Sequence, residues 1–271
     1  MLETEQRVRV AVLSAKGGCG RSTVAINLAY LLASAGRRVA IVDLAQFGSL
    51  GFLLQVPHRP GTGLGPVATC LASGQACQLP EFLEGALVTC RLGNCEVSLL
   101  PAAPPQRQDD LTVDEILRVL RTLSDSGYDL VIDTSHDISD RLAGAMLAAT
   151  HHLWVLSCDP AAGWHTLQTL ELARQLSIPR VPAGVLPNRY HRRCGLHVPD
   201  LESALQLPVW GVLPDLPGKL PLAGHTGIPL LAHRSGPWQR ILARVVNQLG
   251  IAYRPSLLPW LRRRRGPHGQ V

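Results

Sequence analysis

The segment VRVAVLSAKGGCGRSTVAINLAYLLASAGRRVAIVDL, residues 8–44, decides the fold. Its opening run, Val8 to Ser14, is apolar almost throughout, as expected for a parallel strand buried on both faces. Glycines 17, 18 and 20 follow within SAKGGCGRST (14–23) and let the backbone approach a ligand closely. The stretch STVAINLAYLLASAG then carries apolar residues at helical spacing and stops at Gly36, a C-terminal helix signal. RRVAIVDL (37–44) reads as a second buried strand. Strand, glycine loop, helix and strand make a βαβ unit with a right-handed crossover. In such a unit the loop N–H groups and the helix N-terminus converge on a phosphate.

Residues 46–94 are less regular, because Pro57, Pro60, Gly61, Gly63, Gly65 and Pro66 break any long element and leave room only for short helices. The alternation then resumes. Residues 96–100 read as a strand, 113–123 as a helix and YDLVIDTS (128–135) as a buried strand. Helices near 140–149, 163–176, 199–206 and 237–249 alternate with the strands HLWVLSC (152–158) and AGVLPN (183–188) and with the run PVWGVLPD (208–215). The expected fold is α/β, a single doubly wound, mostly parallel sheet with helices on both faces. It comprises one nucleotide-binding domain over residues 1–250 and a basic tail over 251–271.

The formal charge is +6, but Arg262 to Arg265 supply four of those charges, so the basicity belongs to the tail and implies no DNA-coating surface. Lysine occurs only at Lys16 and Lys219, against 24 arginines, and one of the two lies in the glycine loop. The polar, acidic opening MLETEQR predicts no signal peptide. The apolar stretch 142–158 contains His151 and His152 and falls short of the roughly 20 residues that span a bilayer. A cytoplasmic protein is expected. The cysteines at 19, 70, 77, 90, 95, 158 and 194 form no C-x-x-C and none combines with histidine at structural-zinc spacing, so scattered reduced thiols are expected.

The general phosphate-loop pattern G-x-x-x-x-G-K-[ST] places a lysine on the β/γ-phosphates and a hydroxyl on magnesium. Here Arg21 stands at the lysine position, Ser22 supplies the metal-side hydroxyl with Thr23 beside it, and Ala15 replaces the first glycine. Arginine keeps the charge, but its planar fork is longer and wider than an ammonium. Asp133 ends an apolar strand, where a carboxylate either holds a magnesium-bound water or is a strand-end turn residue. Cys19 sits at a helix N-terminus, which can lower a thiol pKa, or is simply a small residue tolerated there.

KGGCGRST, with the helix VAINLAYLLASAGRR and the strand ending in VDL, resembles the deviant Walker A ATPases of the ParA/MinD type, over residues 8–250. That resemblance implies ATP and Mg²⁺ as cofactors and an ATP-dependent homodimer in which Lys16 reaches across to the partner's phosphates. It implies that the loop residues Gly17, Gly18, Cys19, Gly20, Arg21, Ser22 and Thr23 cradle the nucleotide, and that Ser22, Asp43 and Asp133 set metal and water. Asn188 and the Pro214–Asp215 turn match positions that contact the base, although Asn or Pro after a strand is also ordinary turn chemistry. DLAQFGSLGFLL (43–54) resembles the CpaE/TadZ branch, as do LLPAAPPQ, VLPNRY and GVLPD, which implies protein partners in Flp/Tad-type pilus assembly or polar placement.

Two positions depart from the family pattern. Where the family has a second switch acid that orients the attacking water, this chain has Ala45; the other departure is Arg21. Nucleotide binding with slow or absent hydrolysis is therefore expected. The rivals are a pseudo-ATPase scaffold acting through protein contacts and a ParA-like DNA-segregation ATPase. The tail SLLPWLRRRR (256–265) sets apolar residues beside four arginines and suits an anionic membrane surface on the inner face of the cell membrane, although Pro259 interrupts any helix. DNA phosphate would use the same arginines, and a solvated basic tail is the other reading.

Overall fold

A computed structural model of the chain describes residues 7–254 apart from 58, 75–77, 105–106, 108–110, 192, 218–225 and 234–235. The tail from 255 onward, with Arg262 to Arg265, lies outside the described residues. Seven strands form one sheet: β1 (Arg9–Leu13), β2 (Val39–Asp43), β3 (Val88–Leu92), β4 (Cys95–Leu100), β5 (Asp129–Asp133), β6 (His151–Ser157) and β7 (Ala183–Asn188). Their order is β3-β4-β2-β5-β1-β6-β7, and every pairing is parallel except the hairpin β3–β4. The expected single, mostly parallel sheet is observed.

Helices α1 (Arg21–Ser34), α2 (Leu50–Leu53), α3 (Leu64–Ala72), α4 (Leu79–Ala86), α5 (Val113–Asp125), α6 (Asp140–Ala148), α7 (Pro160–Gln175), α8 (Val198–Leu205), α9 (Leu230–His233) and α10 (Pro237–Gln248) flank it. The alternation of strand side chains sorts them into two layers. Val10, Val12, Ile41, Val131, Leu153 and Val155 face α1, α9 and α10, whereas Ala11, Leu13, Val42, Ile132 and Trp154 face α3 to α8. Because both faces are covered, β2 and β5 are buried at every residue, which is why they read as unbroken apolar runs. Among the described residues no helix is long and apolar enough to cross a membrane.

At the N-terminal edge of the sheet Asp129 is fully buried and satisfied. It accepts from the Val8 amide at 2.9 Å and from Arg37 through a two-nitrogen fork, Nε to Oδ2 and Nη2 to Oδ1. One carboxylate thereby ties together the starts of β1, β2 and β5.

The structure differs from the sequence reading in three places. The irregular zone holds α2 to α4 as short helices, as expected, but also strand β3, whose inward residues Val88, Cys90 and Leu92 alternate with exposed Thr89 and Arg91. The Gly93–Asn94 step that closes this hairpin is a turn signal in its own right. The run 208–215 contributes only single bridges, Val209 to Val185 and Pro214 to Tyr190, because Pro208 and Pro214 cannot donate to a ladder. The expectation of scattered thiols is corrected at one pair: Cys158 and Cys194 form a disulfide. They lie 36 residues apart in the chain, and it is the parallel pairing of β6 and β7 that brings them together.

Gly93 adopts φ +63°, and a Cβ there would stand 2.7 Å from the Ala232 side chain. Gly93→Ala should therefore destabilise the fold by about 2 kcal/mol, read as a lowered urea midpoint at unchanged slope.

Candidate nucleotide site

The site is built where β1 ends, with β5 on one side and β6 on the other, at the strand C-termini where a doubly wound sheet takes its ligands. The loop after β1 turns at Gly18 and Gly20, and Gly20 takes φ +89° as the N-terminal cap of α1. Only glycine fits this last position, because a Cβ would collide with the side-chain amide of Asn188. Gly20 offers no side-chain cap, and no acidic residue occupies the first turn of α1. The helix N-terminus thus carries partial positive charge that an anion can meet. The start of α5 contrasts with it: there Thr112 and Glu115 form a full capping box.

Beneath the loop lie Asp43 and Asp133, paired across β2 and β5 in register and both 0 % exposed. Odd-numbered residues of these strands face α1, so both carboxylates point toward the helix that follows the loop. Asp43 is held on both oxygens, by the Ala45 amide at 3.1 Å and the Leu50 amide at 3.0 Å. Neither oxygen of Asp133 has a hydrogen-bond partner. Burial raises both acids, Asp43 to about 7 and Asp133 to about 6, and the neighbouring Asp133 charge adds to the rise at Asp43. For Asp133 the nearby Ser22 hydroxyl and the Arg21 guanidinium oppose that rise.

A hard divalent cation fits this arrangement. Magnesium is usually held by one or two carboxylates together with substrate phosphates, and it keeps water for its other positions. Two orphaned carboxylate oxygens beside a serine hydroxyl at the foot of an anion-binding loop supply such a partial set. Among the described residues no group of three or more His, Cys, Asp or Glu side chains could hold a metal by itself.

The departures from the general pattern have definite places. The Arg21 side chain folds back, donating to the Ser14 carbonyl at 3.3 Å, and burial lowers its pKa while Asp133 partly restores it. Lys16 pairs with Asp159 at 3.0 Å, with side-chain exposures of 41 % and 34 %. Burial works against ionisation of Asp159, but Ser157, Lys16 and the Ala162 amide outweigh it and hold the carboxyl below its ordinary range. Ala45 gives the site a backbone N–H and a methyl group, and no second acid.

Asn188 donates from Nδ2 to the Cys19 carbonyl at 2.8 Å, its own oxygen fixed by the Arg189 amide. Pro214 is tied to the same region through its bridge to Tyr190, and its carbonyl accepts from Trp238 at 3.1 Å; the Asp215 amide meets the Tyr190 carbonyl. Asn188 is thus joined to the glycine loop, whose Ser22 and Thr23 lie in the first turn of α1, and Pro214 and Asp215 are linked through Tyr190 to the end of the strand that carries Asn188.

Sequence reasoning missed Asp159 and Ser157. Asp159–Pro160 is a helix-start signal, Asp as cap and Pro in the first turn, and it places the start of α7 at 160. The exposed His136 ring stands 3.8 Å from where a Gly17 Cβ would be, and no local pattern announces it. Beside Asp43 opens an apolar cleft of about 760 Å³ bordered by Phe47 and Phe52, which are 79 % and 82 % exposed.

A glycine loop between a buried strand and a helix, set over strand-end carboxylates in this sheet order, defines a P-loop nucleotide-binding domain. Residues 10–224 match the family described as the CobQ/CobB/MinD/ParA nucleotide binding domain. The chain is 24 % identical to an uncharacterized ATP-binding protein of Methanocaldococcus jannaschii, over 94 % of this chain and 92 % of that one. It is 26 % identical to the septum site-determining protein MinD of Synechocystis, over 82 % and 81 %. Its fold matches that of MinD from Pyrococcus horikoshii, solved with Mg-ADP, at a TM-score of 0.72 and 21 % identity over 89 % and 96 % of the two chains. The chain belongs to the MinD/ParA family of P-loop nucleotide-binding proteins.

An acid whose pKa is raised by burial contributes stability that is present below its ordinary value and lost as pH rises through the folded-state value. For Asp43 that window runs from 3.8 to about 7, and for Asp133 from 3.8 to about 6. In metal-free protein, Asp133→Asn should gain stability over the wild type progressively across this window. Paired urea titrations at a series of pH values measure the difference, and a gap that stays constant with pH contradicts the assignment.

Proposed function

We propose that the protein is an ATP-dependent, dimerising switch of the deviant Walker A type that positions other macromolecules and turns over ATP slowly or not at all. The observation that carries this reading is the buried Asp43–Asp133 pair beneath the glycine loop, with both Asp133 oxygens unpartnered. The amides of residues 17–23 cradle the phosphates, and Ser22 with Asp133 holds Mg²⁺. Bound Mg-ATP supplies the phosphoryl group and the positive charge that these carboxylates lack. Asn188, Pro214 and Asp215 border the base. Support comes from the ATP-binding and septum-site relatives and from the Mg-ADP complex of a protein of the same fold.

Lys16 leaves Asp159 to meet the phosphates of a second copy. An ion pair this exposed is worth about 1 kcal/mol or less, so phosphate displaces the carboxylate readily. Asp43 aligns water through a carboxylate fixed by two amides. Water positioning and charge neutralisation dominate phosphoryl transfer, and the methyl group of Ala45 supplies neither. Hydrolysis is accordingly slow. Ala45 and the inward-folded Arg21 also favour a second reading, a scaffold that binds nucleotide without cleaving it.

The exposed Phe47 and Phe52 beside the Asp43 cleft supply a face for protein partners. Together with the likeness of residues 43–54 to the CpaE/TadZ branch, this supports a place in pilus assembly or polar placement rather than DNA segregation.

Mg-ATP affinity, oligomeric state and phosphate release measured on one preparation test the reading. The wild type should bind Mg-ATP, dimerise with it and release little phosphate. Lys16→Ala should bind but weaken the dimer roughly tenfold or more, and Asp133→Asn should weaken Mg-ATP binding by a similar factor. Turnover typical of active phosphate-loop ATPases removes the slow-hydrolysis part, and absent nucleotide binding removes the whole reading.

A further inference from the structure

The ends of β6 and β7 both reach the phosphate loop, and a covalent bond joins the segments that leave them. Cys158 follows directly on β6, and its disulfide partner Cys194 lies six positions past the last residue of β7, with a Cα–Cα distance of 5.6 Å. That separation is ordinary for a disulfide. Both residues are half-buried.

Each flank of this bond touches the loop. On the β6 side the Cys19 thiol donates to Ser157 Oγ at 3.4 Å, Ser157 donates to Asp159 at 2.6 Å, and Asp159 holds Lys16. On the β7 side Asn188 bonds the Cys19 carbonyl and packs where a Gly20 Cβ would stand. The turn leading to Cys194 is closed by its amide on the His191 carbonyl at 3.0 Å. Cys19 is thus gripped from both sides, through its thiol and through its carbonyl, by Ser157 and Asn188, register partners at the ends of β6 and β7, and the disulfide adds a covalent tie between the segments that run on from them.

We propose that Cys158–Cys194 is a reversible redox clamp on the phosphate loop: the oxidised form holds the loop in its anion-binding shape, and reduction releases it and weakens nucleotide binding. The effect on nucleotide rests on the function proposed above, whereas the effect on the loop does not. Reduction proceeds by exchange with a dithiol. A reductant thiolate attacks one sulfur, the S–S bond breaks and the leaving cysteine takes a proton. The reductant's second thiolate then attacks the mixed disulfide, and the other cysteine leaves and is protonated. Two electrons and two protons pass to the protein, and the reductant departs as its own disulfide. Oxidation is the reverse, with a low-molecular-weight disulfide as oxidant. Because the clamped loop is already ordered, phosphate binding has less conformational freedom to remove.

The test compares the full chain equilibrated with oxidised glutathione against the same chain in a dithiol reductant. A non-reducing digest should yield a linked Cys158–Cys194 peptide only after oxidation. Hydrogen exchange over residues 14–23, without nucleotide, should be about fivefold slower in the oxidised form. Mg-ADP should bind that form about tenfold more tightly. Cys194→Ser should show the reduced wild-type exchange rate and affinity in both buffers; Cys158→Ser, cut on the other side of the bond, should do the same. Absence of the linked peptide, or equal loop exchange in the two states, overturns the clamp whether or not nucleotide binds. Equal Mg-ADP affinity in the two states overturns its coupling to the site. A redox-dependent loop that binds no nucleotide in either state upholds the clamp and removes the function proposed above.

Discussion

Two carboxylates buried side by side are the constraint on which the rest of the site depends. The parallel pairing of β2 with β5 sets Asp43 opposite Asp133, and the packing of α1 over both removes them from water. Neither could be tolerated fully ionised without help, since burial and mutual repulsion act in the same direction. The fold gives that help unequally. Asp43 receives two backbone amides from the segment that leads into α2, and Asp133 receives only the neighbourhood of Ser22 and Arg21. The glycine loop lies directly over this imbalance, so the place where the protein is short of positive charge is also the place where its backbone can hold an anion. A magnesium–phosphate pair answers both needs together, which neither ion does alone.

Arg21 acquires a sense in this light. The long guanidinium turns inward to the Ser14 carbonyl and lies close to Asp133. It supplies part of the missing countercharge from within the chain. The loop is consequently less dependent on its ligand for electrostatic balance than the carboxylate pair alone would make it. Lys16, by contrast, is held outside on a half-exposed partner, where it is available to another molecule.

The parts of this architecture that rest on local rules were legible in the sequence. The unbroken apolar runs of β1, β2 and β5 are what double-sided burial demands, and the glycine loop between strand and helix left little choice of fold or of phosphate site. Asp133 could be named because it ends such a run, and Asp43 through the likeness of its segment to the family's acid pair. Strand β3 went unread because its signal is a short alternation amid glycines and prolines, and only its Gly93–Asn94 turn marked it. The role of Asp159 was hidden for a different reason: its partner lies 143 positions away, and only the adjacency of β1 and β6 brings them together. The same holds for Cys158 and Cys194, since pairing across parallel strands leaves no trace in spacing.

Strand β5 begins and ends in aspartate, and the two ends live under opposite conditions. Asp129 is gripped by Arg37 and by the amide of Val8, while four residues further on Asp133 faces the crevice with no hydrogen bond of its own. The backbone of the strand is paired on both sides at either end, so the difference lies in the side chains alone. The foot is self-sufficient within the chain, whereas the head carries a demand that only a proton or a cation from outside can meet, and the loop end of the sheet is where the composition of the surrounding solution enters the fold.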